Sequence, residues 1–183
     1  MVLPVYVYGS GVLKKEAAPV TKDCPGLAQL IADMWDTLNN AGGVGLAAPQ
    51  VGHNIRLAII DATAFKNEYP AADGFKRVFI NPEVVERSEE ESRFNEGCLS
   101  IPGIHEDVMR PKRVRVRYFD EHFHAHDEWL EGVPARIAQH EYDHLEGILF
   151  TERLAPIRRK IIAGKLRHIA RGKSGADYKT KIM

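Results

Sequence analysis

Two histidines and a glutamate in one short segment offer the clearest chemistry in the chain. His140 and His144 are separated by three residues, and Glu141 follows the first of them. In a helix, residues four apart lie on the same face, so both imidazoles could bind one cation. Glu141 would lie about 100° further round the helix, where it can take a proton from water instead of ligating the ion. The pattern predicts a catalytic metal site, and a surface helix carrying these residues by chance is the alternative.

Two histidines do not complete a metal site, so a third ligand must come from elsewhere in the chain. Metallopeptidases of the metzincin class take a histidine six residues after the second one, and here that position is Phe150. A carboxylate from a later helix is the other familiar choice, yet Asp177 is the only acid after Glu152. The third ligand is therefore expected upstream of the histidine pair.

Two upstream groups are candidates for this ligand. His122, His124 and His126 alternate along the chain and could share one face of a strand, but the acids around them favour an exposed turn. Cys98 lies within residues 95–102 (NEGCLSIP), where a glycine and a proline indicate an irregular backbone. A thiolate is also a good ligand for a borderline metal. Cys98 is the favoured third ligand, with the histidine cluster as the alternative.

Three helices are expected to position these groups. Apolar residues at helical spacing predict a helix over 27–38, ended by two glycines, and a second helix over 134–146 that carries the histidine pair. A third begins at Pro156 and ends near residue 171, with an apolar stripe among basic residues. The stripe comprises Ile157, Ile161, Ile162, Leu166 and Ile169.

The strand patterns lie mainly between the first two helices. They cover residues 55–61, residues 77–85 with a break or bulge at Asn81–Pro82, and residues 113–118, where apolar and charged residues alternate strictly. Residues 43–50 are small and rich in glycine, which favours a tight loop. Strands followed by helices indicate an α+β fold.

The composition is that of an ordinary globular domain. The chain has 183 residues, of which 44% are hydrophobic and 27% charged, so one domain is expected. No apolar run approaches the roughly 20 residues that span a bilayer, and no signal peptide is recognisable at the start. We therefore expect a cytoplasmic protein with no membrane partner. Because its cysteines are only Cys24 and Cys98, we also expect no disulfide-linked partner.

The charges are distributed unevenly along the chain. Residues 1–152 contain 15 Lys and Arg against 24 Asp and Glu, whereas residues 153–183 contain 10 against Asp177 alone. A basic element of this kind is typical of contact with nucleic acid or another polyanion. A solvated basic helix without a partner fits the pattern equally well.

Three segments, in this order and spacing, resemble the signature motifs of the peptide deformylase family. They are residues 43–50 (GVGLAAPQ), 96–100 (EGCLS) and 139–144 (QHEYDH). The resemblance implies a compact α+β single domain, with antiparallel or mixed sheets packed around a central metal-binding helix and with N-terminal and C-terminal helices. The catalytic domain would cover residues 1–171, and residues 172–183 would form a flexible tail.

The resemblance also implies the chemistry of the site. Cys98, His140 and His144 would hold one divalent ion, usually Fe²⁺ in the cell, with Zn²⁺, Ni²⁺ or Co²⁺ as alternatives in purified protein. A fourth position would be left for water, which attacks the formyl group on the initiator methionine of new polypeptides. Glu141 would act as general base and then as general acid.

Further residues of the motifs would contact the substrate. The Gln50 side-chain amide and the Leu99 main-chain N–H would stabilise negative charge on the formyl oxygen. Gly45 would pair with an extended peptide, and Val44 would line the pocket for the methionine side chain. Many family members have a basic residue where this chain has His105, so substrate contacts on that side stay open.

The partners implied are the formyl-methionyl N-termini of nascent polypeptides and, through the basic helix over 156–171, the ribosome. Two other functions remain as alternatives. A metallopeptidase is disfavoured by Cys98 and by the lack of a downstream ligand. A non-enzymatic protein with a closed structural zinc site would leave Glu141 and Gln50 without a role.

Overall fold

Three α-helices and nine β-strands make up the computed structural model, which describes all of residues 1–183. The helices are α1 (Leu27–Ala41), α2 (Gly132–Leu145) and α3 (Pro156–Ala170). The strands are β1 (Val5–Tyr6), β2 (Gly45–Ala47), β3 (Leu57–Asp61), β4 (Lys76–Arg87), β5 (Glu91–Cys98), β6 (Ile101–Pro111), β7 (Arg113–Phe119), β8 (Ala125–Glu131) and β9 (Thr180–Lys181). None of the helices is long and apolar enough to span a membrane.

An antiparallel sheet in the order β2-β3-β4-β7-β8 separates two helical layers. Because side chains alternate along a strand, neighbouring residues of β3 pack on opposite sides of the sheet. Ile59 belongs to the apolar cluster with Met34 of α1, whereas Ile60 belongs to the cluster with Ile137 of α2. The helix that carries the histidine pair is therefore a core element, and the predicted α+β class is confirmed.

The predicted break at Asn81–Pro82 is present within β4. Asn81 adopts a positive φ of 51°, which asparagine tolerates better than most residues, and the pairing with β7 shifts register between Ile80 and Glu83. The Asn81 side chain accepts a hydrogen bond from the Val20 N–H at 2.7 Å and donates one to the Val20 carbonyl at 2.8 Å. The bulge thereby secures the segment that leads into α1.

One expectation about the strands was wrong, and one hairpin was missed. Residues 43–50 do not form a loop throughout, because Gly45–Ala47 is the edge strand β2 of the sheet. The hairpin β5–β6 was not predicted at all. In β6 the inward positions include Glu106 and Arg110, so the burial alternates along the strand while the hydrophobicity does not.

The apolar stripe predicted on α3 divides into two faces. Ile162, Leu166 and Ile169 are buried in a core cluster with residues of β1 and β6. Ile157 and Ile161 are 66% and 59% exposed, so the expectation that they share the buried face was wrong. Ile157 and Ile161 are four residues apart and therefore lie on the same face of α3, and this face is turned toward solvent.

The C-terminal residues return to the N-terminal strand. The sequence predicts a flexible tail over 172–183, because residues 172–175 (GKSG) are typical of a frayed end. In the structure β9 pairs in parallel with β1, and the Val5 and Val7 N–H groups donate to the Lys179 and Lys181 carbonyls at 2.9 and 3.0 Å. This pairing carries the residues between α3 and β9 over the site described next.

Candidate metal centre

The histidine pair lies on a buried face of α2, as predicted. His140 and His144 are 9% and 1% exposed, with their ring centroids 5.0 Å apart. Ile137 and Leu145, on the same helix, are buried in apolar clusters. The apolar periodicity that forms the helix thus also places both imidazoles in the interior.

Cys98 meets the histidine pair from the end of β5. Its Sγ lies 3.3 Å from Nε2 of His144, and the candidate donor atoms of Cys98, His140 and His144 all lie within 4.8 Å of one another. The other candidates, His122, His124 and His126, lie on the β7–β8 hairpin and do not join this group. Of these three, His126 contacts Asp120 at 2.7 Å instead.

The donor set fits a divalent cation. Burial lowers the pKa of His144, and the neighbouring His140 lowers it further. Burial also opposes protonation of His140, but hydrogen bonds to Cys98 and Glu96 outweigh it and raise the pKa of that ring. A half-buried thiol and two buried imidazoles facing one point are therefore arranged to share a positive charge, and metal ions displace protons from such ligands.

Glu96 orients His140 from the side away from Cys98. Its Oε1 lies 2.9 Å from His140 Nδ1, which leaves Nε2 as the nitrogen for a metal. Two arginines hold this carboxylate: Arg110 donates to both oxygens at 2.7 and 2.9 Å, and Arg136 donates at 2.8 Å. Burial alone would raise the pKa of Glu96, but the bonds to His140 and Arg110 outweigh it and hold the pKa far below its usual range.

The same arginine links β6 to α2. Arg110 is 2% exposed and donates a third hydrogen bond to Asp143 at 2.8 Å. Asp143 also accepts from Arg153 at 2.6 Å. The sequence interpretation assigned no role to Glu96 or Arg110, because charged residues at inward positions hide the alternation of β6.

Glu141 is buried beside the histidines but is not held by other side chains. It is 4% exposed, and its Oε2 has no hydrogen-bond partner. Burial, the largest cause, raises the pKa of this carboxyl to about 7. A carboxyl with a pKa near neutrality is suited to both take and return a proton.

Gln50 and Leu99 lie next to the sulfur of Cys98. The Gln50 Oε1 accepts from the Ala47 N–H at 2.9 Å, which fixes the amide, and its Nε2 lies 3.1 Å from Ser100 Oγ and 3.5 Å from Cys98 Sγ. Leu99 is in the turn between β5 and β6, and its N–H donates none of the main-chain hydrogen bonds of the turns and loops. Two hydrogen-bond donors, the Gln50 amide and the Leu99 N–H, therefore lie beside the candidate metal ligands.

A cavity of about 630 Å³ opens over these groups. Its apolar part includes Val44, Phe65, Phe94 and Ile137, and Gly45 of the edge strand β2 also borders it. The Val44 carbonyl accepts a hydrogen bond from the Asp61 N–H of the neighbouring strand β3 at 2.8 Å. By alternation, the Gly45 N–H and carbonyl point to the free edge of the sheet.

The remaining part of the cavity includes His105 and the segment 174–178. The imidazole of His105 packs against Gly97, where a Cβ would overlap its ring. No sequence signal indicated the contribution of residues 174–178, because they follow the third helix and have no recognisable pattern.

Known proteins share this arrangement of elements. A family model described as polypeptide deformylase matches residues 2–160. A peptide deformylase of Christiangramia forsetii is 46% identical over 189 residues, covering the whole of this chain and 96% of that protein. Two solved structures of peptide deformylases, from Legionella pneumophila and Thermus thermophilus, have TM-scores of 0.82 and 0.81 at 36% and 38% identity. They cover 96% and 94% of this chain and 99% of their own.

Proposed function

The chain belongs to the polypeptide deformylase family, and we propose that it removes the formyl group from the N-terminal methionine of newly synthesised polypeptides. Membership rests on the family model and on close relatives over the whole chain. Glu141 carries the functional proposal: it borders a cavity that Cys98 and His140 also line, and Oε2 of its buried carboxylate has no hydrogen-bond partner. A hydrolytic metal site requires a base in that position.

Cys98, His140 and His144 are the residues that would hold the cation. Three protein ligands beside an open cavity are typical of a catalytic site, whereas structural zinc sites use four. A divalent cation bound there would supply Lewis acidity to the attacking water and to the formyl oxygen. The family resemblance favours Fe²⁺ in the cell, and Zn²⁺, Ni²⁺ or Co²⁺ could occupy the same ligands.

Glu141 would act as the general base and then as the general acid of the reaction. Its carboxylate takes a proton from the attacking water. Oε2 has no other hydrogen-bond partner, and Oε1 packs against the main chain at Gly45. The same carboxyl then returns the proton to the amine nitrogen of methionine as the bond to the formyl carbon breaks. Formate and a peptide with a free N-terminus are the products.

Gln50 and Leu99 would stabilise the negative charge that develops on the formyl oxygen. The Gln50 amide is fixed through its Oε1 and directs Nε2 toward Cys98. The Leu99 N–H lies one residue after the same cysteine. Donors held in place before the reaction cost no reorganisation when charge appears.

The edge strand β2 would bind the peptide main chain. An extended substrate can pair with the free N–H and carbonyl of Gly45, as in strand addition. The methionine side chain would then enter the apolar part of the cavity that includes Val44, Phe65 and Phe94. Pairing with the β2 main chain would align the substrate, and the apolar pocket would select for methionine.

Because its substrates would be nascent polypeptides, the protein would act in the cytoplasm. Helix α3 adds a second contact with the translation machinery, because it carries several basic residues together with the exposed Ile157 and Ile161. Binding of this helix to ribosomal RNA would weaken as the salt concentration rises.

Turnover of matched peptides tests the proposal. Anaerobically purified protein should hydrolyse formyl-Met-Ala-Ser, with release of formate, and should leave acetyl-Met-Ala-Ser and an unblocked internal peptide intact. Cleavage of the internal peptide would indicate a metallopeptidase. Tight metal binding without turnover of any peptide would indicate a structural site and overturn the proposal.

A further inference from the structure

The C-terminal segment 174–178 forms one side of the cavity that holds the donor set. It lies beyond residue 160, where the match to the family model ends. The segment includes Asp177, which is exposed, and Tyr178, which is half-buried. Part of the substrate site therefore comes from residues that the three motifs do not include.

This segment is held at both of its ends. Before it, Leu166 and Ile169 anchor the end of α3 in a core cluster. After it, β9 pairs with β1, and the Gly11 N–H donates to the Met183 carbonyl at 3.1 Å. Because both ends are attached to the core, the segment has a defined position at the cavity.

Tyr178 connects the segment to the turn at Leu99–Ser100 between β5 and β6. Its hydroxyl donates to the Leu99 carbonyl at 2.6 Å. Burial, followed by the charge of Cys98, raises the pKa of Tyr178 above its ordinary value, so the hydroxyl stays a donor at neutral pH. The next residue of the turn, Ser100, is held separately by the Tyr8 N–H at 2.8 Å, whereas Tyr178 makes the only side-chain hydrogen bond to Leu99.

We propose that Tyr178 is a positioning residue, which restrains the Leu99 main chain so that its N–H meets the formyl oxygen. The inference rests on the deformylase function proposed above. The carbonyl held by Tyr178 and the N–H that would face the substrate belong to the two peptide planes that meet at the Leu99 α-carbon. These planes can rotate relative to each other only within the sterically allowed φ and ψ ranges, so fixing one narrows the range open to the other. An oxyanion donor works best when it is held in advance.

Tyr178→Phe tests the proposal by removing only the hydroxyl. Loss of one such bond should lower kcat for formyl-Met-Ala-Ser about 3- to 10-fold, with little change in KM, metal content or melting temperature. Hydrogen–deuterium exchange of the segment 98–101 should become faster. Tyr6→Phe is the matched control, because Tyr6 lies in β1, which pairs with the strand that follows Tyr178, and its hydroxyl makes no hydrogen bond to Leu99. It should behave like the wild type in both measurements.

The two measurements separate the possible failures. Unchanged exchange in Tyr178→Phe would overturn the restraint, and faster exchange with unchanged kcat would overturn its role in positioning. A lower melting temperature with unchanged kcat would assign Tyr178 to the fold alone and also overturn the proposal. Wild-type protein that fails to hydrolyse the formyl peptide would overturn the proposed function, and exchange would still decide whether Tyr178 restrains Leu99.

Discussion

The main chain at Gly45 packs directly against the carboxylate of Glu141. A Cβ at residue 45 would overlap Oε1 of Glu141 and would approach Ile137 Cγ2 to 2.9 Å. The sequence interpretation expected Gly45 to contact the substrate, and the structure adds a second reason for a glycine there. Only a residue without a side chain lets the edge strand and the proposed base lie side by side.

Gly45→Ala should therefore impair catalysis more than folding. The added methyl group displaces the Glu141 carboxylate, and a displacement of about 1 Å can cost about 100-fold in rate. We expect kcat/KM for formyl-Met-Ala-Ser to fall by about that factor while metal content is retained. Gly11→Ala is the control, because a Cβ there meets no atom within 4 Å. Normal activity of Gly45→Ala would contradict the importance of this contact.

Glu141→Gln should keep the metal and lose turnover. Glutamine preserves the shape of the side chain but cannot take a proton, and general acid–base catalysis typically contributes about 100- to 10,000-fold. The measurement is kcat of metal-loaded protein, with Glu146→Gln as a control near the end of the same helix, where Glu146 instead pairs with Arg56. Unchanged turnover in Glu141→Gln would remove Glu141 from the proposed proton transfers.

Cys98→Ala should lower metal content and activity together. Removing the thiolate leaves two imidazoles, so the affinity for a divalent ion should drop by at least about tenfold. Metal stoichiometry after dialysis measures this directly. Cys24→Ala is the matched control, because Cys24 packs against the apolar cluster around α1. Full occupancy in Cys98→Ala would exclude the sulfur from the site.

Arg110→Met should destabilise the whole domain. The change leaves Glu96 and Asp143 buried without their shared cation, and breaking a buried ion pair from one side typically costs about 3–5 kcal/mol. Urea denaturation of the metal-free protein measures the loss in free energy of unfolding. Arg115→Met breaks an exposed pair with Asp127 and should have a much smaller effect. Equal losses in the two variants would show that burial of the Arg110 network does not matter.

Exposure to air should inactivate the enzyme if its ion is Fe²⁺. A thiolate beside ferrous iron is easily oxidised, whereas protein reconstituted with Ni²⁺ should keep its activity over the same period. The comparison uses kcat before and after aeration, together with the mass of the peptide that contains Cys98. Stable activity of the iron-loaded protein in air would count against this expectation.

The helices and strands in which apolar residues recur at a regular spacing could be predicted from the sequence. Helix α1 begins and ends close to the predicted residues, and β7 follows the expected alternation of burial. The hairpin β5–β6 was missed because its inward residues include Glu96, Glu106 and Arg110. Charged residues in the interior are stable only when partners neutralise them. Glu96 and Arg110 pair within the hairpin, but their other partners and that of Glu106 are far away in the sequence, namely Arg136, Asp143 and Arg158.

The sequence by itself determined which groups could form a metal centre: a histidine pair on a helix, the proposed base beside it and a cysteine that could complete the ligand set. These features follow from residue type and helical spacing, which are local. Only the tertiary structure decided that Cys98 rather than the histidine cluster joins His144, and that the C-terminal segment closes the cavity near Leu99. Both outcomes depend on strand pairing between distant segments, and local spacing carries no information about such pairing.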